Sequence, residues 1–341
     1  MISSLGIAVR TGQWWEHKLV PIVTAFYATA LFRGAAITSL WSEGLIFLLS
    51  LLPGAVFVSV VNDLTDIRSD AAAGKANRMA GRSPAFRATA LGAALAAGAP
   101  FLWHWSDRPI LVALYGAAWI AFALYSVPPA RLKARGAAGL AADAAGAHLF
   151  PTLLAAALVF ASDGSAPDAA WMAALAIWSF ACGCRGNLWH QLLDRAGDRQ
   201  AGVRTFAARH SPGVAARTAE AFFTIEAAAL VALLLIVGSG LPFLAAAYYL
   251  FLAWRRWRCW HLPTVIAGPR AEYRLWLDDY YGVLLPLSLL AASALKHPFD
   301  LLVAAVHLAL FPRRPAETAA DSWFLVLRPL LRRMSPVRPE A

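Results

Sequence analysis

Long uninterrupted apolar stretches constrain this chain more than any other feature of its sequence. They run for about 17 to 25 residues, the length that crosses roughly 30 Å of hydrocarbon as a helix rising about 1.5 Å per residue. With 60% hydrophobic and only 15% charged residues, the chain has too little polar surface to cover a water-soluble globule. Lipid requires spanning segments to be helices or closed barrels, and these stretches are too long for barrel strands. The sequence therefore predicts an all-α, multi-pass membrane protein.

The apolar stretches predict nine transmembrane helices arranged as one bundle. A further stretch, Pro298 to Phe311, is short for a crossing and forms either a tenth span or an interfacial helix. We place the transmembrane domain at residues 1–312 and a basic tail at 313–341, whose apolar side chains would let it lie on the headgroups as an interfacial helix. The predicted spans are residues 17–34, 42–62, 85–104, 109–127, 138–161, 168–190, 212–238, 240–255 and 273–295.

Basic residues are distributed unevenly between the predicted loops. Loops on one side hold only Arg33, Arg108 and Lys296. This asymmetry predicts that the N-terminus and the loops after even-numbered spans face the cytoplasm, in a bacterial cytoplasmic membrane, with the active site on that face. The net charge of +10 then reflects orientation, because no soluble basic module is present to bind nucleic acid. The residues predicted to be cytoplasmic are Arg68, Lys75, Arg78, Arg82, Arg131, Lys133, Arg135, Arg195, Arg199, Arg204, Arg209, Arg255, Arg256 and Arg258.

A cluster of acidic residues marks the end of the second span. Asp63, Asp66 and Asp70 recur at helical spacing, so their carboxylates fall on one helix face, and Asn62 lies one turn below Asp66. Like charges so placed repel each other and are expensive beside a membrane, so the arrangement predicts a compensating cation. Hard oxygen ligands of this kind select Mg²⁺.

A second cluster ends the sixth span, where Asn187, Gln191, Asp194 and Asp198 form one helix stripe. Mg²⁺ that bridges carboxylates to phosphate oxygens, beside basic side chains, is the chemistry that a diphosphate requires. The surrounding apolar helices predict a lipid-like tail on the same substrate. The alternative, two solvated acidic helix ends neutralised by arginines, leaves the matched positions of the clusters unexplained. The basic residues that follow the clusters include Lys75, Arg78, Arg199 and Arg204.

The connector after the fourth span contains Tyr125, Pro128, Pro129, Arg131 and Lys133. Two prolines end the helix, because proline cannot donate to the helical ladder and biases its predecessor toward extended geometry. One interpretation is a stop signal followed by positive-inside anchors. The other places the two basic side chains beside the phosphates and turns the tyrosine toward a developing allylic cation.

With these motifs the chain resembles the UbiA superfamily of intramembrane prenyltransferases. The family's N-D-x-x-D-x-x-x-D pattern is matched by residues 62–70, its D-x-x-x-D pattern by Asp194 and Asp198, and its Y-S-x-P-P-x-R-x-K connector by residues 125–133. The resemblance covers about residues 10–295. It implies a nine-helix bundle with a central cavity open laterally to lipid, capped by cytoplasmic loops over a magnesium-bound diphosphate.

One departure from the family pattern concerns the acceptor. Many members with aromatic acceptors carry Asn-Asp ahead of the second acidic motif, where this chain has His190 and Gln191. His190 is either an acceptor-side base or a helix-end histidine satisfied by a neighbour. Asp278 and Asp279 are costly near a span, which makes them candidates for facing the cavity.

These features predict an enzyme that ionises an allylic isoprenyl diphosphate in a water-excluding cavity and transfers the prenyl group to an unknown acceptor. Two alternatives remain: a membrane terpene cyclase, in which the substrate's own double bond is the nucleophile, and a cation-binding transporter or scaffold, against which the paired motifs argue. The predicted catalytic residues are Asn62, Asp63, Asp66, Asp70, Tyr125, Asp194 and Asp198, with Asp63, Asp66, Asp194 and Asp198 as metal ligands; Lys75, Arg78, Arg131 and Lys133 bind the diphosphate, and His190 and Gln191 lie on the acceptor side.

Overall fold

The computed structural model describes residues 11–268, 270 and 273–334. Residues 1–10 of the predicted transmembrane domain and residues 335–341 of the predicted tail lie outside the described residues. The long helices are α1 (Thr11–Arg33), α2 (Trp41–Ala72), α3 (Pro84–His104), α4 (Pro109–Ser126), α5 (Ala137–Ser162), α6 (Ala169–Gln200), α7 (Pro212–Val237) and α8 (Leu241–Trp260). They are followed by α9 (Tyr280–Ala294), α10 (Asp300–Leu310) and α11 (residues 313–334). Single helical turns occupy Ile37–Leu40, Leu132–Ala134 and Phe206–Arg209, and π-helical segments occupy Ala145–Leu149, Tyr280–Leu284 and Trp323–Leu327.

The prediction of an all-helical membrane protein is confirmed, because several of these helices are long and strongly apolar. Within the part of the chain that the structure describes, five helical segments have the length and composition to cross a membrane: Ile37–Ala72, α3, α4, α5 and α7. The helices α9 and α10 are apolar but shorter. The count of nine spans stays a prediction.

Local sequence signals set several helix ends. The Ser83 side chain accepts a hydrogen bond from the Phe86 amide, and Pro84 occupies the first turn of α3, where its missing N–H is not needed. The Asp168 side chain caps α6 in the same way. Gly238 ends α7 in the left-handed conformation, with φ of 70°, which glycine adopts without steric strain.

The helices that carry the acidic clusters extend well beyond their apolar stretches. Both α2 and α6 are 32 residues long, ending at Ala72 and Gln200, whereas the apolar stretches end near residues 62 and 190. The extension fits the predicted helical spacing of the carboxylates, which therefore lie on continuous helix. The two acidic stripes therefore lie on helical extensions beyond the apolar stretches of α2 and α6.

The last predicted span begins later in the structure than in the sequence analysis. Residues 274–275 form the strand β2 (Arg274–Leu275), which pairs in parallel with β1 (Thr264–Val265). The Trp276 amide continues this pairing by donating to the Val265 carbonyl. Because these backbone groups bond across strands, the helix starts at Tyr280 instead of near residue 273.

The C-terminal helix α11 is fastened to the bundle by buried ion pairs. Arg314 lies 2.7 Å from both Asp278 and Asp279, and Asp321 accepts from Arg256 at 2.8 Å. Burial would raise the pKa of the Asp278 carboxyl, but Arg314 and His17 outweigh it and hold that pKa well below its usual range. Asp278 and Asp279 therefore form ion pairs between separate elements. These pairs compensate the two charges, which the sequence analysis had considered as candidates for facing the cavity.

Candidate active site

The first acidic cluster is held at the end of α2 by basic and amide side chains. Asp63 is buried, and its carboxylate lies 2.6 Å from Nε of Arg78. Asn77 donates from Nδ2 to the Asp63 carbonyl at 2.8 Å and to Asp70 Oδ2 at 2.7 Å. Asn62 accepts a short hydrogen bond from the Ser126 hydroxyl at the end of α4. The segment after α2 therefore folds back over the acids that precede it.

The proline connector brings two cations to Asp66. Lys133 Nζ lies 2.6 Å from the Asp66 carboxylate, and Arg131 Nη2 lies 3.2 Å from its Oδ1. Arg131 adopts a left-handed backbone conformation with φ of 35°, which is uncommon for a non-glycine residue and is typical of functional loops. Burial lowers the pKa of the Lys133 ammonium, while its hydrogen bond to Asp66 opposes that shift. The interpretation that places these basic residues at the acidic site is supported by this geometry.

The second acidic cluster ends α6 and is anchored by different partners. Asp194 lies 3.1 Å from Nζ of Lys75, which follows the first cluster, so this ion pair joins the two motifs. Asp198 accepts from the Thr205 hydroxyl at 3.0 Å. Burial and the neighbouring charges of Asp194 and Asp66 raise the pKa of the Asp198 carboxyl. The two clusters therefore meet in one electrostatic site, as their matched positions predicted.

The side chains of Gln191 and His190 differ in their burial and in their contacts with the rest of the protein. Gln191 is buried, donates to Asn187 Oδ1 at 2.9 Å and accepts from the Ala207 amide at 3.1 Å, so both ends of its amide are engaged. His190 is exposed, with its ring centroid 5.2 Å from that of Trp189. Of the two acceptor-side candidates, only His190 presents a side chain that a ligand can reach.

Tyr125 lies at the end of α4, directly before Ser126 and the prolines that stop the helix. Its phenol interacts with the Asn187 side chain and with the charges of Asp66 and Asp198. The phenol therefore lies within electrostatic range of a carboxylate from each acidic cluster, and of Asp143. Tyr125 is half-buried, so part of the ring remains accessible.

The donor chemistry of the site fits a hard divalent cation. In the described ranges no three His, Cys, Asp or Glu side chains are grouped as a preformed metal site. The four predicted ligands instead contact neighbouring donors: Asp63 with Arg78, Asp66 with Lys133, Asp194 with Lys75 and Asp198 with Thr205. Carboxylate oxygens are the ligands that Mg²⁺ prefers, and phosphate oxygens are alternative partners for the same cations. The residues are therefore suited to exchange ion pairs when a magnesium diphosphate binds.

An apolar cavity lies among α1, α2, α4 and α5, next to the acidic site. It is partly open to its surroundings, and Lys18 is the only charged residue that lines it in the part of the chain that the structure describes. The cavity reaches Ser59, one turn before Asp63, and includes the aromatic side chains of Tyr115, Trp119 and Phe122. An apolar chain that begins at the acidic clusters can enter it.

The sequence analysis assigned no role to several residues that contact the predicted site residues. Asn77 contacts both Asp63 and Asp70, Thr65 accepts from Lys133, and Ser126 donates to Asn62. Asn77 had a usable signal, because it stands between two predicted phosphate-binding residues just after a glycine turn. The roles of Thr65 and Ser126 depend on contacts between distant segments, for which spacing along the chain gives no signal.

Comparisons with known proteins agree with this arrangement. A model of the UbiA prenyltransferase family matches residues 19–277. A UbiA homolog from Archaeoglobus fulgidus bound to GPP and Mg²⁺ is 16% identical, with a TM-score of 0.52 over 83% of this chain and 95% of that one. The same homolog bound to DMAPP and Mg²⁺ gives a TM-score of 0.50 at 16% identity, again over 83% and 95% of the two chains. No curated protein matches the chain. The structural likenesses show a shared fold.

Proposed function

Because the chain belongs to the UbiA prenyltransferase family, we propose that it is a Mg²⁺-dependent intramembrane enzyme that transfers the prenyl group of an allylic isoprenyl diphosphate to an acceptor. The observation that carries this proposal is that ion pairs connect the two acidic clusters to each other and to the connector. Lys75, which follows the first cluster, pairs with Asp194 of the second, and Lys133 of the connector pairs with Asp66. It places carboxylates and cations together at the end of an apolar cavity. A ligand with one diphosphate and one apolar tail would match both the charged site and the apolar cavity.

The roles of the side chains follow from their positions. Asp63, Asp66, Asp194 and Asp198 would hold Mg²⁺, which neutralises charge on the departing diphosphate when it is bound. Lys75, Arg78, Arg131 and Lys133 lie within ion-pair distance of these carboxylates, so they can transfer their hydrogen bonds to phosphate oxygens. Asn62 and Asp70 position the cluster through Ser126 and Asn77.

Tyr125 and the apolar cavity would protect the reactive allylic cation. The electron-rich face of a phenol attracts a cation, and the proximity of Tyr125 to Asp66 and Asp198 supports a place for it beside the breaking carbon–oxygen bond. The cavity beside them excludes water, which would otherwise capture the cation as an alcohol. The Archaeoglobus fulgidus homolog binds GPP and DMAPP with Mg²⁺, and this supports an isoprenyl diphosphate as the substrate class. His190, exposed on α6 before Asp194, is the residue that we place on the acceptor side.

Transfer to a separate acceptor is tested by supplying one allylic diphosphate at a time, over several chain lengths, to purified enzyme in detergent with Mg²⁺. We expect slow diphosphate release without an acceptor and faster release when a membrane extract is added, with a prenylated product found by mass analysis. Steady formation of a cyclic hydrocarbon or terpene alcohol from the diphosphate alone would establish the cyclase instead. No turnover with any length would contradict both.

We also propose that the acidic site faces the cytoplasm, on the basis of the asymmetric basic loops. Single cysteines at Ser69, Ala134 and Ala201, near the mouth of the site, are expected to react with an impermeant thiol reagent only from the cytoplasmic face. The background protein must lack Cys259, which is exposed. A cysteine at the exposed Ala166, in the loop before α6, serves as the matched control and should react only from the opposite face. Reversed labelling would contradict the orientation.

A further inference from the structure

A basic depression lies beside the acidic site on a different face of α2. Positions 64, 68 and 72 recur every four residues along the helix and so form a face distinct from that of the carboxylates. Three arginines from three separate elements converge there: Arg68 on α2, Arg87 in the first turn of α3, and Arg131 in the connector. The remaining wall is the turn at residues 201–203. The depression is open on one side, and its other lining residues are uncharged, among them Leu64, Thr65, Ser69 and Ala134.

The positive charge of this depression is not balanced by acids in its wall. None of its lining residues is Asp or Glu. Among the described residues, Arg68 and Arg87 have no carboxylate within ion-pair distance, and Arg87 donates from Nε only to the Met79 carbonyl. Arg131 contacts Asp66 through Nη2, but its Nε is buried and has no hydrogen-bond acceptor in the described chain. Two guanidinium groups without a carboxylate partner, beside a third whose Nε lacks an acceptor, attract an anion.

The depression also lies at the edge of the hydrophobic region. Arg87 is in the first turn of α3, a helix with the composition of a membrane span. The neighbouring Phe86 is 48% exposed, and its ring lies 5.1 Å from the Arg82 guanidinium. Positive-inside anchoring accounts for basic residues at this level, but it does not require three of them to share one concavity.

We infer that this depression binds a phosphate group, supplied either by the headgroup of an anionic phospholipid or by free diphosphate. Guanidinium groups recognise phosphate oxygens through paired hydrogen bonds, and converging arginines provide several such pairs. The site is separate from the carboxylate clusters because it offers no metal ligand. Its binding step does not depend on the proposed catalytic activity.

A consequence that does rest on the proposed function concerns Arg131, which the two sites share. Phosphate in the depression can accept from Arg131 Nε, which has no acceptor among the described residues, and so draw the guanidinium away from the Asp66 carboxylate that Nη2 contacts. Occupancy would then weaken one of the two ion pairs of Asp66, while the other, to Lys133 at 2.6 Å, stays in place. The depression would thereby favour the metal-binding arrangement of the acidic site.

The test measures binding directly, without turnover. Full-length wild type, the double variant Arg68→Gln/Arg87→Gln and the control Arg217→Gln are purified in neutral detergent with a chelator present. Arg217 is exposed near the start of α7 and lies outside the depression, so its variant removes the same kind of charge. Thermal unfolding is followed while phosphatidylglycerol, phosphatidylcholine or inorganic diphosphate is titrated into each protein.

We expect one of the two anions to stabilise wild type and the control, with half-saturation weakened by at least about tenfold in the double variant. Phosphatidylcholine should leave all three unchanged. A response to phosphatidylglycerol alone identifies a lipid headgroup as the ligand, and a response to diphosphate alone identifies the free anion. Equal midpoints in the three proteins for both anions would overturn the inference. If the double variant does not fold, the single variants Arg68→Gln and Arg87→Gln carry the same comparison. Because the test measures binding, its result can be read even if the protein does not turn over allylic diphosphates.

Discussion

Replacing Asp63, Asp66, Asp194 or Asp198 with asparagine is expected to lower diphosphate release by about 100-fold or more while leaving the protein inserted. The loss is large because each change removes a charged ligand from the group that neutralises the leaving diphosphate, and a single preorganised electrostatic contact contributes about 100- to 1000-fold. Asparagine keeps the shape of the side chain. The measurement is single-turnover release of diphosphate from a fixed allylic substrate, with each variant's expression and unfolding temperature recorded alongside.

Asp163→Asn is the matched control for these variants. Asp163 directly follows α5 and pairs at 2.7 Å with Arg33, the last residue of α1, far along both helices from the acidic clusters, so the substitution should leave the rate unchanged. A chelator should reproduce the effect of the four substitutions in the wild-type enzyme. Near wild-type turnover in two or more of the four variants, at normal expression, would refute the metal-diphosphate assignment.

The second large effect is expected at the ion pair between α6 and α7. Arg185 and Glu226 are buried within the bundle, and they form two hydrogen bonds of 2.6 and 2.8 Å. Arg185 also lies over the Phe223 ring at 5.6 Å. Because Glu226→Ala leaves an uncompensated buried guanidinium, we expect the free energy of unfolding to fall by about 3–5 kcal/mol. Chemical unfolding in mixed micelles measures this change.

Two further variants separate loss of the ion pair from loss of packing. The double variant Arg185→Met/Glu226→Met removes both charges and keeps volume in the core, so it should recover most of the lost stability. Glu220→Ala, on the exposed side of the same helix, should have little effect. If Glu226→Ala unfolds at the same denaturant concentration as wild type, the pair does not hold α6 in place. Since α6 also carries Asp194 and Asp198, activity of the single variant should fall together with its stability.

The acidic clusters illustrate how far sequence reasoning reaches. Helical spacing predicted that Asp63, Asp66 and Asp70 share a face, and the continuous helix α2 confirms it. Matched positions predicted that the two clusters meet, and the ion pair from Lys75 to Asp194 supports that. Pairings between distant segments, such as Thr65 with Lys133, were missed because such contacts depend on how the connector folds back. Periodicity describes one element at a time and contains no information on that geometry.

The sequence by itself predicted that the protein lies in lipid, that it is helical, and which kinds of side chain form the site. Apolar length requires helices in lipid, and acidic residues at helical intervals beside basic ones predict a diphosphate-like ligand, because these properties are local to each segment. Only the tertiary structure decided that Gln191 is engaged at both ends and that Asp278 and Asp279 are paired with Arg314. The reason is physical: the free energy of a polar side chain depends on its partners, and those partners come from segments far apart in the chain, brought together by helix packing.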